Sequence, residues 1–226
     1  MRAGRAVLRG ITLITGLIGY GFSMALMVHA GLGLDPWDVF HIGLARLTGW
    51  SLGTVTATVG VAVLLLWIPL RIRPGIGTVA NVIVIAVAVD VSLALLPAPT
   101  QMPVRVAMLV GAVVINAIST VLYIGAGLGP GPRDGLMTGL VARTGRSVRL
   151  VRTMIEATVL IAGALLGGTV GVGTVLYALG IGPLVQLFLR LMPRSLLFDD
   201  FGAPMTTMVE CPKPISSPRT SPTPTC

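Results

Sequence analysis

Six stretches of this chain are apolar for long enough to cross a bilayer, whose hydrocarbon core of roughly 30 Å takes about 20 helical residues. They lie near 8–29, 52–70, 77–97, 104–125, 150–168 and 174–192. Lipid offers no partner to a bare backbone N–H or C=O, so such segments must close their hydrogen bonds internally. The expected fold is therefore an all-α membrane protein with six transmembrane helices. Composition agrees: 11% of residues are charged, against about 25% in a soluble domain, and the mean hydropathy is +0.92. Glycine is abundant, 29 of 226 residues, and small residues let helices approach closely in lipid.

The net charge is +8, from 16 basic residues against 8 acidic ones. The basic residues sit at the ends of the apolar stretches, so they read as topology signals rather than as a nucleic-acid surface. With the N-terminus inside, Arg2, Arg5, Arg9, Arg71 and Arg73 fall inside. So do Arg133, Arg143, Arg146, Arg149 and Arg152, then Arg190, Arg194, Lys213 and Arg219. Arg46 and Arg105 fall outside. This asymmetry predicts a multi-pass protein of the cell membrane with both termini cytoplasmic. Trp37, Trp50 and Trp67 are expected at the interfaces, where amphipathic rings gather.

The chain repeats itself. Ala30-Gly31-Leu32-Gly33-Leu34-Asp35-Pro36-Trp37-Asp38 matches Ala126-Gly127-Leu128-Gly129-Pro130-Gly131-Pro132-Arg133-Asp134 at an offset of 96 residues. Over 30–51 against 126–147, 11 of 22 positions are identical. The same offset aligns Gly75-Ile76-Gly77-Thr78 with Gly171-Val172-Gly173-Thr174. One offset held through two separate motifs points to duplication. The units are 1–97 and 98–194, followed by a Ser-, Thr- and Pro-rich tail over 195–226 that is expected to be disordered and cytoplasmic. Three spans is an odd number, so the second unit is expected to be inverted, as in many secondary transporters. Recurrence of the first segment in mid-chain also argues against a cleaved signal peptide there.

The paired Gly-Leu-Gly-x-x-Pro-x-Asp and Gly-x-Gly-Thr segments resemble the YczE/YyaS/YitT group of bacterial membrane proteins, and the YczE branch most closely. The likeness covers about 8–190. It implies a bacterial cytoplasmic-membrane protein and brings no catalytic residues with it.

Candidate pathway residues are few. Asp38 and Asp134 follow a proline just after a span. Gly31, Gly33 and Pro36, with Gly127, Gly129 and Pro132, either punctuate helices or break them at depth to line a path. Gly75, Gly77 and Thr78, with Gly171, Gly173 and Thr174, open two spans; tight loop geometry or an anion held on backbone amides would each explain them. Glu156 is an i,i+4 partner of Arg152, either an ion pair near the inner interface or a functional acid. Its counterpart in the first unit is Gly60. Asp90, opposite Gln186, lies well inside a span; it suits proton coupling, or a packing hydrogen bond to Asn81, Asn116 or Ser119.

Cys211 and Cys226 lie in the tail, and His29 and His41 have no metal-ligand spacing. No metal, cofactor or enzyme is expected. The leading expectation is a small-solute or ion transporter, with protons as a coupling ion. The alternative is a membrane-embedded accessory or scaffold protein for a partner complex. Besides the lipid bilayer, a homo-oligomer or a membrane partner protein remains open, and no nucleic acid is expected.

Overall fold

The computed structural model describes residues 2–193, and all the regular secondary structure over them is helical. The tail and its cysteines lie outside the described residues. Eight helices follow in order: α1 (Arg2–Ala30), α2 (Pro36–Thr48), α3 (Leu52–Leu70), α4 (Ile76–Leu95), α5 (Met102–Gly125), α6 (Pro132–Thr144), α7 (Val148–Leu165) and α8 (Val172–Leu191). Among them α1, α3, α4, α5 and α8 are long and apolar enough to cross a membrane. The stretch near 150–168 forms α7, but Arg149, Arg152 and Glu156 put three charges into its 18 residues. The other expected spans match their helices to within a few residues at most ends; α1 begins earlier, at Arg2.

Helix boundaries recur at the repeat offset. α2 and α6, α3 and α7, and α4 and α8 each begin 96 residues apart. The local causes recur too. Pro36 and Pro132 occupy first turns, where a missing N–H costs nothing. Gly49 and Gly145 end α2 and α6 in the left-handed conformation. Ser51 and Ser147 cap α3 and α7, their hydroxyls accepting from the N–H groups of Thr54 and Leu150.

α1 and α5 form the centre and run antiparallel. Arg9, near the start of α1, donates to the carbonyls of Ala126 and Gly127 past the end of α5, at 3.0 and 2.7 Å. Arg105, near the start of α5, donates to Ala30 and Gly31 at 2.7 and 3.0 Å. Gly16 allows this pairing: a Cβ there would lie 2.7 Å from the Tyr123 nitrogen and 2.9 Å from the Ser119 carbonyl. Gly21 does the same toward α4, where a Cβ would meet the Ile85 carbonyl at 2.9 Å.

The outer helices pack across units. α2 lies on α7 and α6 on α3. A Cβ at Gly163 of α7 would meet the Phe40 backbone of α2. Trp67 is 1% exposed against α6, its indole N–H donating to the Pro132 carbonyl at 3.0 Å. Trp37 is buried among Val55, Val59 and Val63. These two tryptophans therefore serve the core rather than an interfacial belt, because α2 carries Trp37 against α3 and α6 covers Trp67. Trp50 is exposed. Many large apolar side chains point outward, including Ile14 and Ile18 on α1 and Ile83 and Val87 on α4, as a lipid solvent requires.

Candidate functional site

The segments that follow α1 and α5 leave from opposite ends of the antiparallel pair. Those ends are separated by roughly the 21 residues from Arg9 to Ala30, about 31 Å of helix. Yet the Arg133 Nη1 lies 3.9 Å from the Asp35 Oδ2. Extended chain covers about 3.3 Å per residue, so a few residues from each side, plus the arginine side chain, close that gap. Both segments turn back along the α1–α5 pair and meet near its middle. There α2 and α6 begin.

Each returning segment is held by backbone. The Leu32 carbonyl accepts from the Gly173 N–H and the Leu128 carbonyl from the Gly77 N–H, both at 2.8 Å. The Thr78 and Thr174 hydroxyls accept from the N–H groups of Gly75 and Gly171 at 3.1 and 3.2 Å. Thr78 also donates to the Pro130 carbonyl at 2.8 Å. The Gly-x-Gly-Thr motifs are thus the seats on which the Gly-Leu-Gly segments rest.

A cavity of about 60 Å³ adjoins the meeting point. Its apolar side includes Met24 of α1, Val59 and Val63 of α3, and Val82 and Ile85 of α4. Its polar side carries Asp38 and His41 of α2, Arg133 and Asp134 of α6, and the rings of Tyr20 and Tyr123.

Asp35 caps α2, its Oδ1 accepting from the Asp38 N–H at 2.9 Å. The His41 Nδ1 lies 3.2 Å from the Asp38 Oδ1. The Tyr123 hydroxyl donates to the Asp134 Oδ2 at 2.6 Å. The Arg133 guanidinium sits 5.0 Å from the centre of the Tyr20 ring, a favourable cation–π distance. Next to the cavity, Asn116 donates to Ser23 at 2.8 Å and accepts from the Tyr177 hydroxyl at 3.0 Å. Among the described residues, three buried polar atoms have no hydrogen-bond partner: the Asp35 Oδ2, the Asp38 Oδ2 and the Tyr20 hydroxyl.

Burial penalises charge on α2. It pushes the Asp38 carboxyl up to about 7 and the His41 imidazole down to about 4. Asp35 is also raised well above the ordinary carboxylate range, by burial first and by the neighbouring Asp38 charge second.

Asp38 and Asp134 come together here with Pro132, and Asn116 is adjacent. Asp90 does not join them. It accepts from the Ser51 hydroxyl at 2.6 Å and the Gly53 N–H at 2.7 Å. It therefore ties α4 to the start of α3, and its contacts are not Asn81, Asn116 or Ser119. Arg152 and Glu156 pair at 2.9 Å on an open face of α7, with side chains 50% and 35% exposed; neither lines the cavity. Sequence reasoning passed over Asp35, His41, Arg133 and the tyrosines. The usable signal was inside the repeat, where Asp35 stands opposite Gly131 and Trp37 opposite Arg133.

Five long apolar helices and outward-facing apolar side chains define an all-helical membrane protein. The chain belongs to the family described as "Family of unknown function (DUF6198)", whose pattern matches residues 7–190, and it is YczE-like. It is 32% identical over 213 residues to the "Uncharacterized membrane protein YczE" of Bacillus subtilis, covering 92% of this chain and 97% of that one. It is 40% identical over 174 residues to an "Uncharacterized protein" of Haemophilus influenzae, covering 77% and 80%. No solved structure matches the chain.

Proposed function

We propose that this protein is a transporter for a small solute, bound where α2 and α6 begin. The observation that carries the reading is the approach of Arg133 to Asp35 from opposite ends of the α1–α5 pair. Irregular backbone reaches membrane depth only where protein or water covers it. Paired half-helices meeting at the middle are how many secondary transporters build a substrate site. The same reading takes the chain as two inverted three-helix units. It makes α7 a sixth span, with both termini cytoplasmic. Support for inversion comes from the Arg9 and Arg105 contacts, which recur at the 96-residue offset with partners exchanged.

Arg9 ties one end of the central pair and Arg105 the other. A cavity of 60 Å³ has room for roughly four water-sized groups, which limits the solute to a small one. Liposomes containing the purified protein should shrink and re-swell faster than empty ones when challenged with a permeant small solute. Light scattering over amines, amino acids, carboxylates and sugars would read this out. Equal rates with and without protein for every solute would overturn the transporter reading.

A further inference from the structure

The charges around the cavity do not balance. Asp35 and Asp38 adjoin on one turn, and among the described residues the cation facing them is Arg133, 3.9 Å from the Asp35 Oδ2. Asp134 is answered by the Tyr123 hydroxyl at 2.6 Å and by the uncapped start of α6, whose first residue follows Gly131. His41 is the polar contact of Asp38, and as a neutral imidazole it brings no charge. Asp38 is 2% exposed, lines the cavity, and its Oδ2 has no partner among the described residues. The Tyr20 hydroxyl, 3% exposed and also lining the cavity, has none either.

The other packed elements do not correct this deficit. α3 and α4 present only Thr56 and Asn81 to the cavity as polar groups. α8 brings the Tyr177 hydroxyl, engaged by Asn116. α7 brings Arg152, already paired with Glu156. Among the described residues, no three His, Cys, Asp or Glu side chains are grouped to hold a metal ion. Arg133 already covers the Tyr20 ring, and the remaining walls of the cavity beside Asp38 are aromatic and aliphatic: Trp37, Tyr123 and Val59. Aromatic faces beside a carboxylate suit an ammonium carrying a small apolar group.

We propose that Asp38 holds one exchangeable positive charge, either a proton or the ammonium head of a small organic amine, so that amine binding displaces a proton. This rests on the transporter reading and names its substrate class and coupling. The exchange balances: the carboxylic acid releases H⁺ to solvent, and the carboxylate then pairs with the R–NH₃⁺ that replaces it. One proton leaves per amine bound. A transporter with such a site would exchange protons for amine across the membrane.

The test needs no membrane. The purified full chain in mild detergent is titrated with methylammonium and ethylammonium chloride, and in parallel with glycine, sodium acetate and sodium chloride. Tryptophan fluorescence reports binding through Trp37, and a pH indicator in weak buffer reports proton release. Below the titration of Asp38, the expected result is saturable binding of the alkylammonium ions with about one proton released per amine bound. In that range the apparent Kd should weaken about tenfold per pH unit. Asp38→Asn should abolish both signals, while Gly111→Ala, where an added Cβ meets nothing within 4 Å, leaves them unchanged.

The pH dependence of the wild type decides the matter even if Asp38→Asn does not fold. Binding that is independent of pH, binding of acetate, glycine or sodium in preference to amines, or no amine binding at all would each overturn the proposal. Vesicle flux of another solute class would then leave the transporter reading standing alone.

Discussion

Asp38 and Asp90 are both helical aspartates, and their surroundings set them different tasks. Asp90 spends both oxygens on the start of α3. Asp38 keeps one oxygen beside a cavity with no partner among the described residues. The raised carboxyl of Asp38 and the depressed imidazole of His41 pull stability in opposite directions with pH. Folded Asp38, near 7 rather than 3.8, binds its proton when the unfolded chain has released it. Its stabilisation is full in acid and is lost as pH rises through 7. Folded His41, near 4 rather than 6.5, stays neutral when the unfolded chain is protonated. Its stabilisation is full above 6.5 and is lost as pH falls through 4. Between about pH 4.5 and 6.5 the two largely offset each other. In His41→Gln, stability should therefore fall with rising pH more steeply than in the wild type, by up to about 1.4 kcal/mol per unit. In Asp38→Asn the slope should change by as much in the other sense. Thermal midpoints in detergent across that window would measure both slopes.

At the scale of elements, the returning segments depend on backbone lying against backbone. Gly33 has φ +116°, and a Cβ there would lie 2.7 Å from the Gly171 nitrogen. No flexible side chain can yield at that contact. Gly33→Ala should cost about 2–5 kcal/mol, combining overpacking with left-handed strain. A Cβ added at Gly111 of α5 would meet nothing within 4 Å. Gly111→Ala should leave stability at or above the wild type, by up to about 1 kcal/mol. Paired unfolding curves would rank the two. The helices themselves were legible in the sequence, because apolar length, Pro at the start and Gly at the end are local signals. The inward turn of Gly31–Asp35 was not legible. A surface turn and a re-entrant one use the same glycines and proline, and only the antiparallel partner fixes the depth. For the same reason Asp38 and Asp134 could be nominated from their motif. The approach of Arg133 to Asp35 could not, because it joins segments from the two copies of the repeat. The unmatched Asp35 and Arg133 were visible only as departures from the repeat, and His41 only as a residue three positions after Asp38.

For the whole molecule, inversion makes a strict statement about sidedness. Single cysteines at Leu47→Cys and Arg146→Cys, with Cys211 and Cys226 replaced by serine, sit at exposed positions, in the last turn of α2 and just after α6. An impermeant thiol reagent on intact cells should label the first and spare the second until the membrane is opened. Labelling of both on intact cells would refute opposite orientation of the two units.

The packing of α2 on α7 also has a consequence in time. A ribosome adds about 5–20 residues per second, so α7 emerges roughly 5–20 s after α2. Through that interval Asp35 and Asp38 have been made without Arg133, and the Phe40 face has no Gly163 to rest against. The first half of this protein cannot finish folding as it is synthesised. It waits for α6, which brings Arg133, and then for α7, which brings Gly163 against Phe40.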